Sequence, residues 1–241
     1  VGTWFAAQHF GVTPDIIVTA KGITSGYIPL GAVLVADHVA QVLGRDHGFP
    51  MGYTYNGHPT AAAVALRNLE IIEREGLLER AKTIGAYLHQ QLRSLLDLEI
   101  VGEVRYVGMM HAVELVADRE TREPLPLVNL LPDEIRRESG VIVRDCGHNL
   151  VLSPPLVFTE DEAALLADAR FAAIERLAAD IRLRSGDAAG ALALAEAGAG
   201  RFVGARALIH LQAEALLALS EPARAERFLQ DQIALYRADP K

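Results

Sequence analysis

Cysteine is almost absent. Cys146 is the only one in 241 residues, which excludes an internal disulfide framework and suits a reducing compartment. Long apolar runs are also missing. The longest aliphatic stretches, such as Ala61 to Leu66, are broken by charge within a few turns, so no segment reads as a membrane span. Basic runs are lacking too. With 31 acidic and 23 basic residues the net charge is −8, which gives no electrostatic case for a nucleic-acid partner. The eight histidines form no spaced ligand set, so no metal site is expected. The chain opens Val1-Gly2-Thr3-Trp4-Phe5 without an initiating Met, and reads as a fragment or a rearranged gene product. What remains is a 51% hydrophobic chain long enough for one or two domains with a real core. The expected location is cytoplasmic.

Elements can be placed from pattern. The β-branched run Asp15 to Ala20 follows Pro14 and reads as a buried strand. Lys21 to Gly31 holds three glycines and a proline, and reads as an irregular loop. Ala32 to Ala36 is a second strand, with Asp37 capping a short helix to about Leu43. Gly52 to Pro59 is another loop, and Pro59 suits a first helical turn. Ala62, Leu66, Leu69 and Ile72 then recur at helical spacing, and Leu77 to Leu95 carries a second amphipathic helix. Strands are expected at Ile100 to Val107, Met110 to Val116, Val141 to Arg144 and Asn149 to Leu152, and a short helix at Pro132 to Ser139. Gly102 and Gly108 read as turn or bulge glycines. Thr159 and Glu162 form a capping box ahead of a helix to about Arg184.

After Ser185-Gly186-Asp187 the strands vanish. Ala and Leu dominate, and Gly198, Gly200 and Ser220-Glu221-Pro222 divide the tail into three short amphipathic helices. The rhythm loosely resembles tetratricopeptide-type arrays over fewer than two units.

One amine has a chemical setting. Lys21 follows an uncharged strand, and the next charged residue is Asp37. Desolvation there would favour a neutral amine, the form that attacks a carbonyl carbon. Read without that setting, Lys21 is a solvated strand end, Thr54 a turn-capping threonine and Arg144 a surface arginine. Cys146 reads as a small packing residue. His58 reads as a structural hydrogen bonder. Tyr53 and Tyr55 read either as pocket lining or as aromatic packing.

Three blocks carry a resemblance. Trp4 to Ala32, centred on Ala20-Lys21-Gly22-Ile23-Thr24-Ser25-Gly26-Tyr27-Ile28-Pro29-Leu30-Gly31, resembles the cofactor-lysine segment of class III (omega-type) aminotransferases, which are fold-type I pyridoxal phosphate (PLP) enzymes. Gly52-Tyr53-Thr54-Tyr55-Asn56-Gly57-His58-Pro59 resembles a second family block. Val141-Ile142-Val143-Arg144 with Leu152-Ser153-Pro154-Pro155-Leu156 resembles a third. The blocks occur in family order over about residues 1 to 180.

The resemblance implies that Lys21 holds PLP as a Schiff base and shuttles a proton once displaced. It implies that Thr54 donates its hydroxyl to the cofactor phosphate across a homodimer interface, into the partner's site. It implies that Arg144 receives the substrate carboxylate in bidentate fashion. Substrates would be an amino donor and a keto acid, exchanged by transamination. The implied fold is α/β then α+β. A partial, mostly parallel PLP-binding large domain spans 1–95, a small C-terminal domain 96–184 and an all-helical tail 185–241. Family members carry further cofactor groups in a long segment ahead of the lysine block, among them an aspartate on the pyridine nitrogen. Asp15 lies too near Lys21 to serve as that aspartate. The isolated chain is therefore expected to bind PLP poorly and to transaminate little. Two other readings stay open: a PLP-dependent aminomutase of the same family, and a non-catalytic copy acting as a helical interaction module.

Overall fold

The computed structural model describes residues 1–43, 48, 51–125, 131–201 and 206–238. Lys241, the end of the expected tail, lies outside them. The chain forms two compact bodies, Val1–Thr83 and Ile84–Lys241.

The first body opens with a short helix α1 (Ala6–His9), where the Gln8 side chain accepts a hydrogen bond from the Phe5 amide at 3.1 Å. Strands β1 (Ile16–Thr19) and β2 (Ala32–Val35) follow, then α2 (Asp37–Leu43) and α3 (Pro59–Arg74). The expected large parallel sheet is not what these residues make. β1 and β2 pair antiparallel, with Val18 opposite Val33. The reason lies in the connection: the chain turns back within the loop between them, whereas a parallel pair needs a long crossover. Nor is β1 buried here. Val18 is 76% and Val33 61% exposed, because a two-stranded ribbon has nothing stacked on that pair.

Helix α4 (Leu77–Leu92) leads into the second body. Its sheet contains β3 (Val101–Val107), β4 (Met110–Asp118), β5 (Glu123–Pro124), β6 (Arg144–Cys146) and β7 (Asn149–Leu152). The order is β3-β4-β7-β6, with β5 against β4, and every pairing is antiparallel. Gly102 sits at the register shift in β3, and Gly108 takes φ 55° in the β3–β4 turn, as their spacing suggested. Helix α5 (Leu131–Ser139) and the long α6 (Glu160–Arg184) complete this part. Alternate residues of β4 and β7 pack with Leu88, Leu92, Ile135 and Ile174 into one apolar core.

The strand expected at Val141 to Arg144 begins later, at Arg144. Residues 141–143 are irregular, and Ile142 is 83% exposed. The two-residue turn Gly147-His148 fixes the hairpin, so Cys146 faces Asn149 and Arg144 faces Val151.

The tail forms α7 (Ala188–Arg201), α8 (Arg206–Ala218) and α9 (Pro222–Ala238). Gly198 and Gly200 do not break it, since α7 runs through both. Its turns repeat. Amides of Ser185, Gly186 and Asp187 bond back to Ile181, Leu183 and Arg182, and 34 residues on Leu219, Ser220 and Glu221 bond back to Ala215, Leu217 and Leu216. Gly186 and Ser220 share positive φ, at 91° and 60°. The buried pair Ala191 and Ala225 keeps the same offset. Thus one helix-turn-helix turn of the tail recurs once, at an offset of 34 residues.

Candidate functional site

Lys21 begins a single 3-10 turn, Lys21–Thr24, one residue beyond β1. Its φ is 51°, in the left-handed region that side chains other than glycine seldom adopt. Ser25, which closes the turn, is also left-handed at 49°. Such positions typically cost about 1–3 kcal/mol each and persist only when neighbours hold them. Thr24 is one neighbour that does so. It is 1% exposed, and its hydroxyl donates to the Ile28 carbonyl at 2.7 Å, tying the turn to the following loop.

The turn borders a cavity of about 650 Å³. Lys21, Thr24, Tyr53, Tyr55 and Asn56 line it, with backbone from the Gly26 to Gly31 loop. Lys21 is itself exposed, so the dry surroundings suggested by the uncharged strand are not supplied by the described residues. Tyr53 and Tyr55 are exposed at the cavity wall and are not packed in a core. Thr54, between them, is exposed and is not part of the lining. His58 does structural work: its Nδ1 accepts the Ala61 amide at 3.3 Å and caps α3.

Asp15 pairs with His38 at 3.3 Å, both exposed. No carboxylate lines the cavity among the described residues.

Arg144 belongs to the second body, where it starts β6. It is exposed, and no described residue pairs with its guanidinium. Five donors on a fixed planar fork are thus open to a carboxylate. Cys146, expected as packing, is exposed at the end of the same strand.

Sequence reading missed Asn68. From α3 its amide donates to the Gly22 and Ile23 carbonyls at 2.9 and 3.1 Å, and its oxygen accepts from the Ser25 hydroxyl at 2.7 Å. The only sequence signal was a polar residue amid the apolar positions of a helix, and that is an ordinary surface pattern.

Among the described residues no helix is long and apolar enough to cross a membrane, and no three His, Cys, Asp or Glu side chains gather as a metal site.

A putrescine–pyruvate aminotransferase of Pseudomonas aeruginosa is 45% identical over 159 residues, covering 65% of this chain and 35% of that protein. An adenosylmethionine-8-amino-7-oxononanoate aminotransferase of Aquifex aeolicus is 38% identical over 187 residues, covering 75% and 41%. The crystal structure of an amine transaminase from an uncultivated Pseudomonas species, in its PLP-bound form, superposes with a TM-score of 0.68 at 45% identity, covering 73% of this chain and 41% of that one. An (S)-enantioselective omega-transaminase from Thermomicrobium roseum gives a TM-score of 0.65 at 44% identity, covering 72% and 40%. The chain therefore spans well under half the length of these relatives. Residues 1–174 match the family described as aminotransferase class-III, which takes in the turn at Lys21, the loop at Thr54 and the strand at Arg144, and it is to this family that the chain belongs.

Proposed function

We propose that this chain carries the lysine-bearing part of a PLP-dependent transamination site. One observation supports it above the others: Lys21 is held in a left-handed backbone conformation at the wall of a 650 Å³ cavity. A solvated strand end has no need of such geometry, while a residue that must aim its amine at one atom does.

The lining suits one end of the cofactor better than the other. Lys21 at the wall would supply the amine for the aldehyde carbon, and Tyr53, Tyr55 and Asn56 offer ring faces and polar groups along the same cavity. The cavity wall lacks a carboxylate for the pyridine nitrogen among the described residues. When bound, PLP supplies an electron sink for the carbon that loses its proton. The protein's share is then acid–base work and aim. Lys21 Nζ would act as the base that takes the proton from the substrate carbon and the acid that returns it. Arg144 receives the carboxylate of an amino acid or keto acid, holding it by two parallel hydrogen bonds. Thr54 does not line its own cavity, and its proposed role is to donate to the cofactor phosphate in a partner's site, so a homodimer is the proposed working unit. The substrates are an amine or amino acid donor and a keto acid acceptor. The relatives' transaminase activities favour this over an aminomutase.

The chain offers an internal control, since its lysines are Lys21, Lys82 and Lys241. Lys82 is exposed and paired with Glu79 at 2.8 Å. Excess PLP followed by borohydride should label Lys21 in preference to Lys82, as read by peptide mass spectrometry. The Lys21→Ala variant should lose that adduct and keep the background. Equal labelling of Lys21 and Lys82 would rule the proposal out.

A further inference from the structure

The turn that carries Lys21 is held locally at its far end, by the Tyr27 amide on the Thr24 carbonyl at 3.1 Å and the Thr24 hydroxyl on the Ile28 carbonyl at 2.7 Å. Nearer Lys21 the backbone bonds are long: Ile23 to Ala20 at 3.3 Å, Ser25 to Gly22 at 3.2 Å and Gly26 to Lys21 at 3.3 Å. Yet it is bracketed by two left-handed residues, Lys21 and Ser25. There the shorter bonds come from α3. Asn68 Nδ2 donates to the Gly22 carbonyl at 2.9 Å and the Ile23 carbonyl at 3.1 Å. Asn68 Oδ1 accepts from the Ser25 hydroxyl at 2.7 Å. One side chain thus binds the two carbonyls after Lys21 and the residue that ends the turn.

We infer that Asn68 is the positioning residue for Lys21, fixing the turn so that the amine leaves the backbone in its left-handed orientation toward the cavity. The inference rests on the reading of Lys21 as the PLP-binding amine. The chemistry demands an amide. Two of the three bonds need a donor and the third needs an acceptor, and Asn offers both on a short stem. Aspartate keeps the acceptor but sets a negative charge against two carbonyl oxygens. Glutamine adds a methylene in a space already spanned at hydrogen-bonding distance. Asn also has a lower helix propensity than Leu, Lys or Glu, so its place within α3 is not explained by helix formation.

The test uses the full chain as wild type, Asn68→Asp, Asn68→Ala and Ser25→Ala. Two readouts are taken: hydrogen exchange of the amides from Gly22 to Tyr27, and the ratio of borohydride-trapped PLP on Lys21 to that on Lys82. Both Asn68 variants should retain their helical circular dichroism. Their turn amides should exchange about tenfold faster, in line with the loss of two hydrogen bonds. Their labelling ratio should fall toward one. Ser25→Ala, which removes only the third bond, should shift both readouts part of the way. An Asn68→Asp chain with wild-type exchange and a wild-type ratio overturns the inference. If the Asn68 variants fail to fold, Ser25→Ala decides, and no change in either readout overturns it. If the wild type itself shows no preference for Lys21, the PLP reading fails, and the exchange rates alone then judge whether Asn68 fixes the turn.

Discussion

The α-carbon of Gly85, in α4, faces the carbonyl of Gly108 in the β3–β4 turn so closely that a methyl group at position 85 would overlap the carbonyl carbon and oxygen. The contact is backed by His111, whose Nε2 lies 3.0 Å from the Gly85 carbonyl oxygen. Ordinarily Gly to Ala within a helix stabilises by about 1 kcal/mol. Here the sign should reverse. Gly85→Ala is expected to destabilise the second body by about 1–3 kcal/mol, because the obstacle is backbone and cannot rotate aside. Urea unfolding with an unchanged m-value would measure it, and a rise in midpoint would refute the close-approach argument.

Beside that contact His89 stacks on Tyr106, with ring centroids 4.1 Å apart at 18°. Its Nδ1 is buried without a hydrogen-bond partner among the described residues. Burial, and then the positive charge of Arg93, lower its pKa below the ordinary 6.5. The unfolded chain therefore binds this proton more readily than the folded one. Stability should fall as pH drops below about 6.5, and level off once the folded form is also protonated. His89→Phe keeps a ring for the stack and removes the proton. Its melting temperature should depend less steeply on pH between neutrality and mild acid than that of the wild type, and identical slopes would exclude His89 as the source.

Thr159 and Glu162 show the sequence at its most readable. Thr159 Oγ1 accepts the Glu162 amide at 3.2 Å, and the Glu162 carboxylate accepts the Thr159 amide at 2.8 Å. Each bond satisfies a donor that the start of α6 leaves open. Thr159→Ala should cost about 1 kcal/mol, as seen in thermal or urea unfolding. A cost near zero would mean that packing of α6 alone fixes its first turn.

Arg144 makes a functional prediction. On the proposed function, Arg144→Ala should raise KM for a carboxylate-bearing donor about tenfold or more, the scale of one lost charged hydrogen bond. Donors without a carboxylate should be affected far less. Arg144→Lys should not restore the loss, since lysine cannot form the paired contact. Equal KM changes for both donor classes would remove Arg144 from the carboxylate site.

These elements also show where the sequence was legible. Local patterns were sufficient for the capping box, for α3 after Pro59 and for β3 and β4 around Gly108, since each depends on neighbours within a few residues. Burial was harder to read. β1 has the composition of a core strand, yet Val18 is exposed, because burial depends on what lies above the ribbon and composition does not report that. The strand at Arg144 was misplaced by three residues for a related reason. Val141 to Val143 has the β-branched composition, but the Gly147-His148 turn sets the register. At the candidate site the family blocks pointed to Lys21, while Asn68 stayed hidden, since its three partners lie more than 40 residues away in sequence.

Helix α6 belongs to two cores at once. Ile174 is embedded with the β-sheet leucines, while Ala179, little more than a turn later, packs with Ala195, Leu208 and Leu211 of the tail. The helix in which the family-matched region ends is therefore also the foundation of the tail helices. An engineer who wished to trim this protein would find no clean seam at residue 185, because severing the tail strips the covering from one side of a helix whose other side closes the sheet.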